Sequence, residues 1–227
     1  MSSVLAGDTA RWRAVLFDLD GTLTDPKLGI TRSVQYALRK HGIEPPDADA
    51  LEPFIGPPLE QSFRLTFGFD ANQARRAVED YREYFAQQGL YENEVYAGIP
   101  ALLRDLHAAD VRIGLATSKP TVFAQRILDH FDLAKHFDLI VGSFLDGQRV
   151  EKSEVVAHAL AGVADVSPER VVMVGDRMHD VHGAHANGID AIAVTYGYGS
   201  REELRAAAPI SLAASVDELR LLLLLDP

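Results

Sequence analysis

Two aspartates separated by one apolar residue, Asp18-Leu19-Asp20, stand between the apolar run Ala14-Val15-Leu16-Phe17 and Gly21-Thr22. Carboxylates at the end of a buried strand are costly unless something neutralises them, because burial and like charge both disfavour ionisation. The pair therefore reads as chemistry rather than as the polar start of a loop. At an ordinary aspartate pKa of ~3.9, Asp18 is ionised at neutral pH and can attack without a base. Asp20 can protonate a leaving alkoxide and then take a proton from a hydrolytic water.

Ala116-Thr117-Ser118-Lys119-Pro120 ends another apolar run. With Pro120 taken as the first helical residue, the N–H groups before it and the Thr117 hydroxyl form an anion site, although capping by Ser118 accounts for the same residues. Lys152 follows the turn Asp146-Gly147-Gln148, where a lone lysine is ordinarily solvated surface. In Gly175-Asp176-Arg177-Met178-His179-Asp180 two aspartates lie one helical turn apart, which puts both carboxylates on one side. His179, His182 and His185 recur every third residue and are expected to be a solvated set rather than a metal site.

Charge connects these positions. Two unit charges 4 Å apart interact by about 4 kcal/mol at an effective dielectric of ~20. A phosphate dianion beside Asp18 and Asp176 therefore requires cations. Oxygen ligands together with phosphate select a hard ion, magnesium, and Lys152 adds a second positive charge.

The elements that must position these groups follow from periodicity. Ala14–Phe17, Arg112–Ala116, Phe137–Val141, Val171–Val174 and Ala191–Val194 are continuously apolar, as strands buried on both faces of a parallel sheet are. Helical patterns fill Ile99–Ala109, Pro120–Phe131, Ser153–Ala164 and Val181–Asn187, which predicts a doubly wound α/β sheet. Ligands in such sheets bind beyond the carboxyl ends of the strands, where every residue named above falls. About ninety residues separate the first two strands, far more than one crossover helix needs. That gap reads as helices over Gly29–His41, Ala48–Phe54, Leu59–Phe67 and Ala71–Gln88. We expect a catalytic α/β core of residues 1–23 and 97–227, with residues 24–96 as an inserted helical domain. The tethers are expected near Thr24-Asp25-Pro26 and Glu94–Gly98. Lys27, Arg64 and Gly56-Pro57-Pro58 are its expected contacts with a leaving group.

The chain has 227 residues, 47% of them hydrophobic, and a formal charge of -11, which disfavours nucleic acid and anionic membrane as partners. It has no cysteine, so disulfides and thiolate chemistry are excluded, and zinc is not favoured. Met1 to Arg13 shows no secretory pattern. The leucine run Leu221–Leu225 is too short to span a bilayer and reads as a terminal helix with a Ser215/Glu218 capping box. The expectation is a cytoplasmic protein acting on a small phosphorylated metabolite, with its oligomeric state open.

In order, Asp18-Leu19-Asp20-Gly21-Thr22, Thr117, Lys152 and Gly175-Asp176 through Asp180 resemble the four motifs of the haloacid dehalogenase-like hydrolases, over nearly the whole chain. Asp20-Gly21-Thr22-Leu23-Thr24-Asp25-Pro26, Ile55-Gly56-Pro57-Pro58-Leu59, Ala116–Pro120 and Gly175-Asp176-Arg177 look like its phosphoglycolate phosphatase and bacterial 5'-nucleotidase-like branch. The resemblance implies that Asp18 is phosphorylated and that Asp20 is the acid/base, offering its backbone carbonyl to Mg2+. It implies that Asp18 and Asp176 are the other metal ligands, with Asp180 orienting a bound water or Lys152. Thr117, the Ser118 amide and Lys152 would hold the phosphoryl group, and Lys119, Arg149 or Arg177 could share the role of Lys152. Asp20 separates the chain from the true dehalogenases, which lack an aspartate there. The other readings are a phosphomutase, a phospho-acceptor signalling module and a binding protein with a vestigial site; Asp20 and the long insertion argue against the signalling module.

Overall fold

The computed structural model describes residues 11–224. Residues 1–10 and Leu225, the last of the leucine run, lie outside the described residues. In chain order the strands and α-helices begin with β1 (Ala14–Phe17), β2 (Thr24–Asp25), α1 (Lys27–Lys40), α2 (Leu59–Phe67), α3 (Ala71–Tyr84) and β3 (Glu94–Val95). They continue with α4 (Ile99–Ala108), β4 (Arg112–Pro120), α5 (Thr121–His130), β5 (Leu139–Ser143) and α6 (Lys152–Ala161). The last are β6 (Val171–Gly175), α7 (Met178–Ala186), β7 (Asp190–Val194), α8 (Arg201–Ala206), β8 (Ser211–Ala213) and α9 (Val216–Leu224).

Six parallel strands form one sheet in the order β5-β4-β1-β6-β7-β8, the doubly wound architecture that the apolar runs predict. Successive strand residues point to opposite faces. Val15, Phe17, Ile113, Leu115, Val172 and Val174 accordingly join a core that includes α4, α5 and α9. Ala14, Leu16, Ala116, Val171 and Met173 join a second core with α6, α7 and α8. Burial on both faces is why these strands carry no polar alternation. β1 lies between β4 and β6, so the residues that leave these three strands emerge side by side.

The helices α1 to α3 lie between β2 and β3, which pair as a short antiparallel ribbon (Thr24 with Val95, Asp25 with Glu94). Phe54, Phe63, Phe67 and Phe69 stack among these helices, with ring centroids 5.0 to 6.5 Å apart. Beyond α3 the chain widens into a π-turn, Phe85–Gly89, where one continuous helix to Gln88 was expected. Close backbone contact accompanies the change, since a Cβ on Gly29 of α1 would lie 1.9 Å from the Gly89 carbonyl oxygen.

Other boundaries differ for local reasons. β4 runs four residues past Ala116, and Pro120 is extended (φ -54, ψ 132), so α5 starts at Thr121 and Pro120 is its N-cap rather than its first residue. α7 begins at Met178, three residues before the expected Val181. α8 and β8 were not foreseen; they are short, with six and three residues, and carry little periodicity. At α9, Ser215 Oγ accepts the Glu218 N–H at 3.1 Å, but the Glu218 carboxylate takes the Ala214 N–H instead of closing the box on Ser215.

The Gly29–Gly89 contact yields a stability prediction. Gly29→Ala forces backbone against backbone and is expected to destabilise the fold by about 1–3 kcal/mol in urea denaturation. Gly42→Ala, at φ +72 with nothing within 4 Å, should lose only about 1 kcal/mol, from the left-handed backbone alone. Equal losses would contradict the packing account.

Candidate active site

β1 delivers Asp18, and the chain then reverses at Gly21. Gly21 has φ +84, and a Cβ there would lie 2.2 Å from Asp176 Oδ2, so only glycine both makes the turn and admits that carboxylate. Asp176 is 1% exposed and accepts the Tyr198 N–H at 2.7 Å and the Thr22 hydroxyl at 3.4 Å. It leaves β6 before α7 begins, so Asp176 and Asp180 do not share a helix as their spacing suggested. They converge nonetheless: Asp18, Asp176 and Asp180 each place a carboxylate oxygen within 4.8 Å of the others.

Lys152, the first residue of α6, lies among them. Its Nζ donates to Asp18 Oδ1 at 2.6 Å, to Asp180 Oδ1 at 2.7 Å and to the Ala116 carbonyl at 3.0 Å. An ammonium has three donors, so all of them are used within the chain. Asp180 is fixed in turn by the Arg177 N–H, 3.0 Å from its Oδ2. Burial works against the Lys152 ammonium, but Asp18 and Asp180 outweigh it and hold its pKa above the ordinary lysine value.

Burial raises Asp18 to about 6, an effect that Lys152 reduces and Asp180 reinforces. This corrects the ordinary value expected from sequence. Burial, followed by Asp180 and Asp18, pushes Asp176 well above the carboxylate range, and its direct partners are both neutral. One ammonium thus faces three buried carboxylates. With all three ionised two positive charges are lacking, and their clustered carboxylate oxygens fit a divalent cation.

Asp20 has a different partner. Its Oδ2 lies 2.8 Å from Lys119 Nζ, with the two side chains 11% and 6% exposed. Its Oδ1 is buried with no hydrogen-bond partner. The Asp20 carboxylate is therefore not part of the acidic cluster of Asp18, Asp176 and Asp180. Thr117 and Ser118 sit on the extended end of β4, not at a helix N-terminus. The Thr117 hydroxyl oxygen accepts the Lys119 N–H at 3.3 Å, which leaves its proton available to another acceptor.

Asp18, Asp20, Thr117, Ser118, Lys119, Lys152 and Asp180 line one cavity of about 520 Å3. Its other wall comes from the segment between β2 and β3, including the Gly56-Pro57-Pro58 loop, Tyr81, Arg82 and Phe85. The other expected contacts lie elsewhere. Lys27 pairs with Asp49 at 2.7 Å and with Glu52, and Arg64 is exposed outside the cavity. Arg149 donates to the Gly142 carbonyl at 3.0 Å and covers the Phe144 ring. Arg177 donates to the Ile55 carbonyl and pairs with Glu203, both at 2.9 Å, so neither arginine shares the position of Lys152. His179, His182 and His185 are exposed and belong to no metal-holding group among the described residues. Sequence reasoning missed Arg82 and Phe85, although Arg75, Val78, Arg82 and Phe85 recur at helical spacing and all line the cavity. It also missed Tyr198, for which no local signal exists.

The raised Asp18 pKa fixes the sign of a pH effect. A carboxyl bound more tightly to its proton when folded stabilises the fold below ~4, and that stability is lost as pH rises through about 6. In chelator, the unfolding free energy in urea is therefore expected to fall between pH 5 and pH 7.5, by an amount on the order of 1–3 kcal/mol. Asp18→Asn should flatten the slope. A slope unchanged by that substitution would contradict the assignment.

The sequence profile of the haloacid dehalogenase-like hydrolases matches residues 15–194. A 5'-nucleotidase of Pseudomonas aeruginosa is 51% identical over 210 residues, covering 92% of this chain and 95% of that protein. The tyrosine-protein kinase PtkA of Mycobacterium tuberculosis is 43% identical over 208 residues, covering 91% of this chain and 70% of that protein. The crystal structure of a predicted phosphatase from Clostridium acetobutylicum superposes with a TM-score of 0.88 at 47% identity, covering 92% of this chain and 96% of that one. With the motif residues gathered in one crevice and the profile spanning most of its length, this chain belongs to the haloacid dehalogenase-like hydrolase family.

Proposed function

We propose that this protein is a magnesium-dependent phosphatase that hydrolyses a small-molecule phosphomonoester through a phosphoenzyme on Asp18. The observation that carries the reading is the division of labour between two carboxylates on one cavity. Asp18 lies in the charge-deficient cluster with Lys152, whereas Asp20 is held apart on Lys119 with one oxygen unpartnered. Asp18, Asp176 and the Asp20 backbone carbonyl would hold the ion, which when bound offsets the charge of the phosphate and the cluster. Lys152 orients the Asp18 carboxylate for attack on phosphorus. The Thr117 hydroxyl and the Ser118 N–H take the phosphoryl oxygens. Asp20 protonates the departing oxygen, then removes a proton from the water that cleaves the aspartyl-phosphate. Because Lys152 uses its three donors internally, it supports the nucleophile first and meets phosphate only by exchanging one of them.

In this reading residues 24–96 form a lid over a catalytic unit of residues 1–23 and 97–227, and closure excludes water from the cavity. A volume of about 520 Å3 accommodates a metabolite. The similarity to a 5'-nucleotidase favours nucleoside 5'-monophosphates, beside phosphoglycolate-like esters, as the substrate class. No helix among the described residues is long and apolar enough to cross a membrane, and the chain has no cysteine; we place the enzyme in the cytoplasm. The kinase-named relative supports a second reading, in which the phosphoryl group passes to another acceptor rather than to water. A phosphomutase would share that feature.

Steady release of inorganic phosphate from a panel of nucleoside monophosphates, phosphoglycolate and sugar phosphates is the expected result; transfer without release would favour the second reading. Asp18→Asn should lower turnover by more than ~10³-fold while the protein stays folded, as removal of a nucleophile does. Chelator should abolish activity and Mg2+ restore it. Full activity in chelator, or appreciable turnover by Asp18→Asn, would refute the mechanism.

A further inference from the structure

We propose that Lys119 is the positioning residue of the acid/base Asp20. It fixes one carboxylate oxygen so that the other meets the leaving group, and its ammonium stabilises the charge that appears as the proton departs. The inference rests on the phosphatase reading above and deepens it.

The backbone aims Lys119 in two ways. The β4–β5 register is interrupted between Ala116 and Pro120 and resumes where Pro120 meets Ser143. Such an irregularity re-aims the side chains within it. The Lys119 carbonyl is also pressed against Gly142, where a Cβ would lie only 2.3 Å from its oxygen. Lys119 Nζ then meets Asp20 Oδ2 at 2.8 Å on one side and the face of the Phe85 ring on the other, 4.4 Å from its centroid.

A merely structural ion pair in so buried a place would satisfy both carboxylate oxygens. Here Oδ1 is buried and unpartnered, on a residue that lines the cavity with Asp18 and Thr117. In the first transfer, Asp18 forms its bond to phosphorus and the ester P–O bond breaks, with its electron pair moving to the ester oxygen. The proton on Asp20 Oδ1 passes to that oxygen, and the alcohol leaves neutral. The negative charge left on the Asp20 carboxylate extends to Oδ2, beside the Lys119 ammonium. Phe85 belongs to the π-turn after α3, so the inserted helices complete this arrangement from above.

The test compares two esters of similar size whose leaving groups differ in their need for a proton. Benzyl phosphate releases an alkoxide, whereas p-nitrophenyl phosphate releases a stable phenolate. Lys119→Met is expected to lower kcat/KM for benzyl phosphate by ~100-fold, the scale of a general-acid contribution, and for p-nitrophenyl phosphate only a few-fold. Asp20→Asn should show the same split, and Lys119→Arg should recover part of the benzyl phosphate activity. The ratio within one sample does not depend on the fraction folded, so poor folding of a variant leaves it readable. Equal losses on both esters, or no loss on either, would overturn the positioning role while leaving the phosphatase reading intact. A wild-type protein inactive on both would overturn the phosphatase reading itself.

Discussion

The site is organised by a shortage of positive charge. Three carboxylates, one following β1, one following β6 and one in the first turn of α7, are buried within reach of one another around one lysine. Burying unpaired charge destabilises a fold by several kcal/mol per ion, so the surrounding chain is shaped to make the arrangement tolerable. Lys152 reaches Asp18 and Asp180 from the first turn of α6 and steadies itself on a β4 carbonyl. Asp176 is hemmed in by positions without a Cβ: Gly21 and Gly197 against its side chain, and Gly199 against its backbone carbonyl. These contacts hold the carboxylates but leave the charge deficit, which in the proposed mechanism a divalent ion offsets so that an anionic ester can approach.

The second buried pair extends the logic. Asp18 and Asp20 leave the same strand end two residues apart, yet each has its own lysine, from different elements. In the proposed mechanism this separation keeps their tasks distinct, since a nucleophile must stay ionised while an acid must carry and release a proton. The inserted helices touch this machinery at several points. Phe85 covers Lys119, Arg177 beside Asp176 holds the Ile55 carbonyl, and Tyr198, whose N–H binds Asp176, donates its hydroxyl to Asp25 in the β2–β3 ribbon. Movement of the insertion would therefore be felt at both carboxylates.

Much of this was legible in the sequence because Asp18, Thr117 and Asp176 each follow a run that is apolar on both faces of the sheet. The runs ending at Phe17, Ala116 and Val174 locate the strand ends, and parallel-sheet topology brings together Asp18, Thr117 and Asp176. Lys152 has no such strand ahead of it and was identified by its place in the motif order. Less legible was anything decided by side-chain geometry. Asp20 pairs with Lys119 and not with a metal cluster because β4 extends through Pro120, which periodicity places in a helix. The cavity wall of Arg82 and Phe85 depends on how α3 docks, and Lys27 is diverted to Asp49 and Glu52, choices made by tertiary packing.

Calorimetric titration of Mg2+ into the substrate-free protein tests the charge deficit most directly, since binding to carboxylates that hold protons must release them. Saturable binding of a single ion per chain is expected, with proton release at pH 6, because burial raises the Asp18 carboxyl to about 6, and with binding lost in Asp176→Asn. Absence of saturable binding to the wild-type protein, or unchanged binding to Asp176→Asn, would contradict the account.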